Sequence, residues 1–415
     1  MSTQETTYTV KEVTLGFRFS GTLYEPATQR KENSIGIVSN YIWLNQGHEL
    51  AKRGYTVLSI PQRNNFRDSD NLFKDIDAAI RYMKQLDGIT HVAALSWSGG
   101  CSVLTAYQSI AENGCSVFQG SEYIIGCGNL EAMTPADALI LMDSNWGNGT
   151  MTLVSLDPAV TDETGGMNLD PELDLFNPAN GFCEEGSSYS DEFIKKFLTA
   201  QGERMNRLID HALSRLTLIR AGKGRYVDDE PLVIPGGEQL APFNKLFPQD
   251  IRLLSRTKGK YPLLHGDGSC STEQIRSLRL PFGGTNQTAN YHATARITSV
   301  VNFLKTCSVP TDGFGYNQDS MWGVNWERCY SCTPGNIKHV SCPVLILGMT
   351  GGYEFLAAET IYHNAASKDK TIAFIEGADH LFHPNKAAEI VPGQFGDTEK
   401  TTFDYISRWL EDRQF

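Results

Sequence analysis

The sequence predicts an α/β protein with a mostly parallel central sheet and helices on both faces, and three observations lead to this class. Short apolar segments alternate with helical patterns through the first 145 residues. The alternation stops near residue 146 and resumes near residue 340. An apolar segment also runs through small residues directly into a helix, at 92–101. We therefore expect a core formed by 1–145 and 340–415, with a large, mainly helical cap, 146–339, inserted between its sixth and seventh strands.

The elements of the first core segment follow from their apolar spacing. The segment 72–86 repeats Ile76, Ile80 and Met83 at intervals of three and four, which is typical of an amphipathic helix. The segment 138–142 is wholly apolar, as in a strand that is buried on both faces. The predicted strands are 13–19, 22–24, 34–39, 55–60, 91–95 and 138–142, and the predicted helices are 48–53, 72–86 and 101–111.

The inserted segment and the closing core segment are interpreted in the same way. Irregular stretches with Asp-Pro and Asn-Pro pairs precede a long helical pattern at 191–219, and a further helix is predicted near 289–304. After the insertion, the predicted strands are 342–348 and 371–375, and the predicted helices are 355–366 and 401–412.

The composition is that of an ordered, acidic protein. Hydrophobic residues make up 40% of the chain and charged residues 20%. The formal net charge of -12 argues against a surface for nucleic acid or for anionic membranes, since both need clustered Lys and Arg. The first residues contain no apolar run typical of a secretory signal, and no stretch approaches the roughly 18 apolar residues of a membrane-spanning helix. We expect a cytoplasmic location.

The nine cysteines do not predict a disulfide framework, because the number is odd and no secretory signal is evident. Cys329 and Cys332, with Cys342 nearby, could suggest zinc. No second pair completes four ligands, so no metal site is predicted. No organic cofactor is implied either.

The segment 92–101, VAALSWSGGC, predicts a nucleophile on a strand-to-helix turn. It resembles the G-x-S-x-G elbow of the α/β-hydrolase family, with Ser98 at its centre. Ser96 is the alternative centre, but it would place residues with a Cβ on both flanks, where the strained turn needs small ones. No lysine follows the glycines as it would in a phosphate-binding loop. The resemblance implies a serine hydrolase.

A serine nucleophile needs a histidine to take its proton. Residues 377–380, Gly-Ala-Asp-His, follow a predicted strand near the C-terminus and resemble the Gly-x-x-His loop of the family. His380 is therefore the predicted base, with His383 as the fallback.

The acid of the triad stays open between two residues. The loop at 349–354, where most of the family carries Asp, contains no Asp and ends at Glu354. Asp143 ends the preceding core strand, a position that resembles the acid of haloalkane dehalogenases and pancreatic lipases. Each also has a structural interpretation, Glu354 as a first-turn helix carboxylate and Asp143 as a turn cap. A dyad, or Asp379 as the acid, is the remaining alternative.

The same resemblance implies an oxyanion hole formed by the amide of Gly99 and that of Asn40 or Tyr41. We expect cleavage of an ester or lactone, or of a thioester or amide, in a medium-sized, partly apolar small molecule, through an acyl-enzyme. A non-hydrolytic cyclase, lyase or isomerase is the alternative, and a binding protein that keeps the elbow only as structure is a third. A small-molecule substrate is the expected partner, and the sequence leaves a homodimer open.

Overall fold

The computed structural model describes residues 7–27, 34–40, 45–62, 69–128, 130, 132–240, 244–282 and 291–413. The strands are β1 (Tyr8–Gly16), β2 (Phe19–Pro26), β3 (Ile35–Ser39), β4 (Thr56–Ser59), β5 (His91–Trp97), β6 (Ala138–Met142), β7 (Pro231–Ile234), β8 (Arg256–Leu264), β9 (Cys270–Arg276), β10 (Arg296–Ser299), β11 (Thr311–Tyr316), β12 (Met321–Val324), β13 (Val344–Met349) and β14 (Lys370–Ile375).

The α-helices alternate with the strands in the core, and the insertion contains both helices and strands. They are α1 (Gln46–Lys52), α2 (Ser69–Lys84), α3 (Gly100–Asn113), α4 (Asn148–Leu153), α5 (Asp191–Arg220), α6 (Leu246–Gln249), α7 (Tyr291–Thr294), α8 (Val300–Asn302), α9 (Thr333–Asn336), α10 (Phe355–Asn364) and α11 (Thr398–Glu411). Among the described residues, no helix is both long enough and apolar enough to cross a membrane.

Ten strands form one sheet in the order β1-β2-β4-β3-β5-β6-β13-β14-β8-β9. From β4 to β8 every neighbouring pair is parallel, whereas β2 runs antiparallel to β4. β5 lies at the centre, so the turn that follows it opens at the middle of the carboxyl edge of the sheet. This strand order, with crossover helices between the parallel strands, is the α/β-hydrolase fold, as the sequence predicted.

Strands that are buried on both faces explain the continuous apolar runs in the sequence. In β6, Leu139 and Leu141 belong to the core that also contains Ile76 of α2 and Leu104 of α3. Alternate residues of β6 belong to the opposite core, with Trp409 of α11. A strand between two helical layers needs apolar side chains at every position, because successive side chains point to opposite faces.

Two local predictions were wrong. The predicted strand 13–19 is divided by a turn at 17–18, so Phe19 begins β2 rather than ending β1. The predicted helix 289–304 begins outside the described residues, and its described part is broken by strand β10, which pairs with β7. The β-branched residues Ile297 and Thr298 of β10 favour an extended backbone, and that preference prevails once β7 offers a partner strand.

The segment 146–339 contains α5 where a long helix was predicted, but it is not wholly separate from the sheet. β8 joins the sheet beside β14, and β9 pairs with β8 as the edge strand. The irregular Gly- and Pro-containing sequence of this region did not predict either strand, because six of their sixteen residues are exposed and no long apolar run marks them. The division of the chain into core and cap stays a prediction.

Candidate active site

Ser98 lies on a sharp turn between β5 and α3. Its φ of 54° is left-handed, which an L residue adopts only where the surrounding structure enforces it. Its amide N–H donates to the carbonyl of Met142 at 3.0 Å, which ties the turn to the end of β6. A Cβ at Gly99 would lie 2.8 Å from Asn148 Oδ1, so any larger residue there would require the Asn148 side chain to move. The turn places the Ser98 hydroxyl at the carboxyl edge of the sheet.

Ser96, the alternative centre of the elbow, lies two residues earlier inside β5. It is fully buried and pairs with Leu141 of the neighbouring strand. Its position within the sheet keeps it away from the exposed edge.

His380 lies on the loop after β14, and its Nε2 is 2.9 Å from Ser98 Oγ. The Trp97 indole N–H donates to the His380 carbonyl at 2.8 Å, and the two rings lie 4.5 Å apart between centroids. Gly377 turns the loop with a φ of 68°, and a Cβ there would lie 2.0 Å from the Phe395 ring. These contacts hold the imidazole against Ser98.

The other two candidates on this loop, Asp379 and His383, make contacts within the loop itself. Asp379 Oδ1 accepts the backbone N–H groups of Leu381 and His383, which closes the turn. The His383 side chain is 61% exposed, and its Nδ1 lies 3.8 Å from Asp379 Oδ2. His383 therefore faces solvent beside its own loop.

Asp143 is the carboxylate that contacts His380. Its Oδ2 lies 2.6 Å from His380 Nδ1, while its Oδ1 accepts the backbone N–H of Met349 at 2.9 Å. The side chain is fully buried, and the backbone has a left-handed φ of 42°. Asp143 thus leaves β6 by a strained turn that directs its carboxylate at the histidine.

Glu354 lies beside this pair without a hydrogen bond to His380. It precedes α10, and its Oε2 is 4.0 Å from His380 Nδ1. The structure therefore brings both candidate acids to the same nitrogen and hydrogen-bonds only Asp143 to it.

Burial and charge act in opposite directions on His380. Burial by itself lowers the pKa of the imidazole, but the carboxylate of Glu354 and the hydrogen bond to Asp143 outweigh it and raise the pKa to about 9. Complete burial raises the pKa of Asp143 to about 6, although the hydrogen bond with His380 acts to lower it. Below about pH 9 the cationic imidazole is thus favoured over the neutral one.

The predicted oxyanion donors have different fates. Gly99 immediately precedes α3, where backbone N–H groups lack partners within the helix. The amide of Asn40 donates instead to the carbonyl of Leu95 at 3.3 Å, because the parallel pairing of β3 and β5 continues one residue past Ser39. The sequence predicted this backbone N–H as a donor to the oxyanion, but in the structure it is directed at Leu95. Tyr41 lies outside the described residues.

Asn145 reaches the site from the loop after β6, and the sequence reasoning did not identify it. Its Nδ2 lies 3.5 Å from Ser98 Oγ, and its Oδ1 accepts the backbone N–H of Gly147 at 2.9 Å. The signal that could have revealed it is the run DSNWGNG directly after the buried strand β6, in which every residue except Trp146 is small or polar. Parallel strands end at one edge of the sheet, so this loop had to approach the elbow after β5.

One set of potential metal ligands coincides with the hydrogen-bonded residues. Ligand-type atoms of Asp143, Glu354 and His380 all lie within 4.8 Å of one another. His380 Nδ1 is already hydrogen-bonded to Asp143, an arrangement that suits proton transfer. The cysteines of the CxxC motif, Cys329 and Cys332, are buried with their sulfurs 3.3 Å apart.

A cavity of about 550 Å³ lies in the inserted segment beside the start of α5. Its lining includes Leu198, Phe314 and Trp322, with Lys195 and Arg252 among the charged residues. The three hydrogen-bonded residues of the site are not part of its described lining.

No family model and no curated protein sequence matches the chain. Solved structures resemble it at low identity. A hypothetical protein from Pseudomonas aeruginosa matches at 12% identity and a TM-score of 0.41, over 98% of this chain and 94% of that one. A dienelactone hydrolase from Anabaena variabilis matches at 10% identity and a TM-score of 0.37, over 98% of both chains. Esterase B from Lactobacillus rhamnosis matches at 16% identity and a TM-score of 0.28. This match covers 36% of this chain and 52% of the esterase, which is about half the length of the esterase.

Proposed function

We propose that this protein is a serine hydrolase that cleaves an ester or lactone of a medium-sized, partly apolar small molecule through an acyl-enzyme on Ser98. One observation carries the proposal: Asp143, His380 and Ser98 form a continuous hydrogen-bonded series, at 2.6 Å and 2.9 Å. The three side chains come from the ends of three strands and meet at one edge of the sheet. Nucleophile, base and orienting acid are the parts that acyl transfer by a serine requires.

In the first step, His380 Nε2 takes the hydroxyl proton as Ser98 Oγ forms a bond to the acyl carbon. The carbonyl π electrons move to the oxygen, which becomes an oxyanion within reach of the Gly99 amide. When the tetrahedral intermediate collapses, the bond to the leaving oxygen breaks and His380 gives that oxygen its proton. In the second half-reaction His380 takes a proton from water as its oxygen attacks the acyl carbon. The bond to Ser98 Oγ then breaks, His380 returns the proton to Oγ, and the carboxylic acid is released.

Asp143 holds the histidine in the tautomer and orientation that this transfer needs. Because its Oδ2 accepts from Nδ1–H, the other nitrogen, Nε2, faces Ser98 as the proton acceptor. The negative charge of Asp143 also stabilises the imidazolium that forms in each half-reaction.

The inserted segment 146–339 is proposed to act as the lid of this site. Asn148, near its start, places its Oδ1 beside Gly99, and Gln239 Nε2, further along the insertion, lies 3.4 Å from that oxygen. Covering the elbow in this way excludes water, which strengthens hydrogen bonds to a developing charge.

Covalent labelling tests the proposal. A fluorophosphonate probe followed by intact-mass analysis should add one label to the wild type and to Ser96→Ala, and none to Ser98→Ala. Ser96→Ala is the matched control, since it removes a hydroxyl two residues away on the same strand. An unlabelled wild type with native thermal unfolding would reject the serine hydrolase and favour a non-hydrolytic or binding role. Release of p-nitrophenol from p-nitrophenyl butyrate, lost only in Ser98→Ala, would extend the result to turnover.

A further inference from the structure

We infer that Asn145 is a catalytic residue whose side-chain amide donates to the oxyanion formed on Ser98, alongside the backbone amide of Gly99. This inference rests on the proposed function, and it assigns a side-chain donor to the hole where backbone donors were expected. Its starting point is the distance of 3.5 Å between Asn145 Nδ2 and Ser98 Oγ.

The orientation of the Asn145 amide follows from its other contact. Its oxygen, Oδ1, accepts the N–H of Gly147 at 2.9 Å, and a backbone N–H can only donate. The NH₂ group is therefore the end that faces Ser98. A flipped amide would set its NH₂ group against the Gly147 N–H and present an acceptor to the developing negative charge.

The loop that carries Asn145 is fixed by hydrogen bonds to its backbone. The Asn145 carbonyl accepts from Ser144 Oγ in the same loop at 2.9 Å and from Thr333 Oγ1 of α9 at 3.3 Å. Gly147 has a φ of 97°, and a Cβ there would lie 2.3 Å from the Ser331 carbonyl oxygen. Asn145 is 5% exposed. A buried donor held in this way needs little reorganisation during the reaction, which is what makes oxyanion donors effective.

The distance itself favours the transition state over the ground state. At 3.5 Å, the contact with the Ser98 hydroxyl is at the long limit of a hydrogen bond. In the tetrahedral intermediate the oxyanion and Oγ are bonded to the same carbon, so the oxyanion is close to Oγ. It carries a full negative charge, which the Ser98 hydroxyl does not. A donor that bonds weakly to the free enzyme and strongly to the intermediate lowers the barrier rather than only tightening substrate binding.

The hole also needs a donor other than Asn40. The backbone N–H of Asn40, the expected second donor from the loop after β3, donates to Leu95. Asn145 comes from the loop after β6, on the other side of β5, and supplies a donor there.

The test compares Asn145→Asp and Asn145→Ala with Asn206→Asp. Asn145→Asp keeps the shape and the acceptor for Gly147 but removes the donor. Asn206 is the matched control, because its amide pairs with both backbone groups of Thr311 in the insertion. We expect both Asn145 variants to lower kcat on p-nitrophenyl butyrate by about 10²- to 10³-fold with KM changed by less than about threefold. Asn206→Asp should keep kcat within about threefold of the wild type.

Affinity for phenylboronic acid, whose adduct with Ser98 is tetrahedral, separates a catalytic role from a structural one. It should fall in both Asn145 variants in parallel with kcat. Thermal unfolding identifies any variant that fails to fold, and Asn145→Ser, which keeps a small donor, then replaces it with an expected intermediate kcat.

Two outcomes distinguish this inference from the proposed function. If the fluorophosphonate labels Ser98 in all variants and kcat of the Asn145 variants stays within about threefold of the wild type, the inference is wrong and the hydrolase stands. If folded wild-type protein is neither labelled nor active, both are wrong, because no oxyanion forms.

Discussion

Glu354 Oε2 lies 4.0 Å from His380 Nδ1, the nitrogen that Asp143 already holds at 2.6 Å. Two acidic side chains thus lie beside the same nitrogen of the imidazole. The hydrogen-bonded one orients the ring, and the second adds negative charge without a directional contact. This relationship separates the expected effects of the two acids.

The first prediction concerns pH. His380 must be neutral to take the proton from Ser98, so activity should rise with pH through the raised pKa of about 9. Glu354→Gln removes the largest effect that raises this pKa, so the pKa falls and the rising limb moves to lower pH, by about one pH unit. The measurement is the pH dependence of kcat/KM. Glu192→Gln, an exposed carboxylate on α5, should leave the limb in place.

The second prediction compares the acids directly. Asp143→Asn should lower kcat by about 10³- to 10⁴-fold at the pH optimum, because the amide can present a donor to Nδ1 and so select the wrong tautomer. Glu354→Gln should retain kcat within about tenfold, since it makes no hydrogen bond to the ring. Steady-state kinetics at each variant's own pH optimum decides between them. A larger loss in Glu354→Gln than in Asp143→Asn would make Glu354 the acid.

The third prediction concerns the loop after β6. Gly147→Ala should lower the free energy of unfolding by about 3 kcal/mol and reduce kcat, because both the left-handed φ and the contact with Ser331 oppose a Cβ. Gly222→Ala is the matched control. Its φ of 69° is also left-handed, but a Cβ there meets nothing within 4 Å, so only about 1 kcal/mol should be lost. Denaturant unfolding of the two variants gives the comparison. Equal losses of unfolding free energy in the two variants would mean that the Ser331 carbonyl moves to accommodate the Cβ.

The fourth prediction concerns the support of His380. Trp97→Phe keeps an aromatic ring near the imidazole but loses the N–H that donates to the His380 carbonyl at 2.8 Å. A hydrogen bond of this kind contributes about 1 kcal/mol, so kcat should fall by about fivefold as the histidine loop loosens. The readout is kcat together with the rate of fluorophosphonate labelling at Ser98. If both rates match the wild type, the Trp97 hydrogen bond does not position the base.

The sequence by itself determined the elements that depend on local patterns. The wholly apolar β6, the spacing of three and four in α2, and the small residues around Ser98 predicted a mostly parallel sheet with a turn after β5. Ser98 and His380 could be proposed as site residues because each follows a strand in a short sequence with glycine at a turn. These signals are local because they arise from strand burial, helical periodicity and backbone conformation.

The tertiary structure decided which side chains meet. Asp143 and Glu354 both end or begin regular elements and both carry a carboxylate, and only the packing of β6 beside β13 brings Asp143 to His380 Nδ1. The polar run after β6 marks the loop that carries Asn145 but does not single out this residue, since its contact with Ser98 depends on the turn at Gly147 and on the neighbouring strand. Distances between residues far apart in the chain follow from the packing of the whole sheet, and a one-dimensional pattern does not contain them.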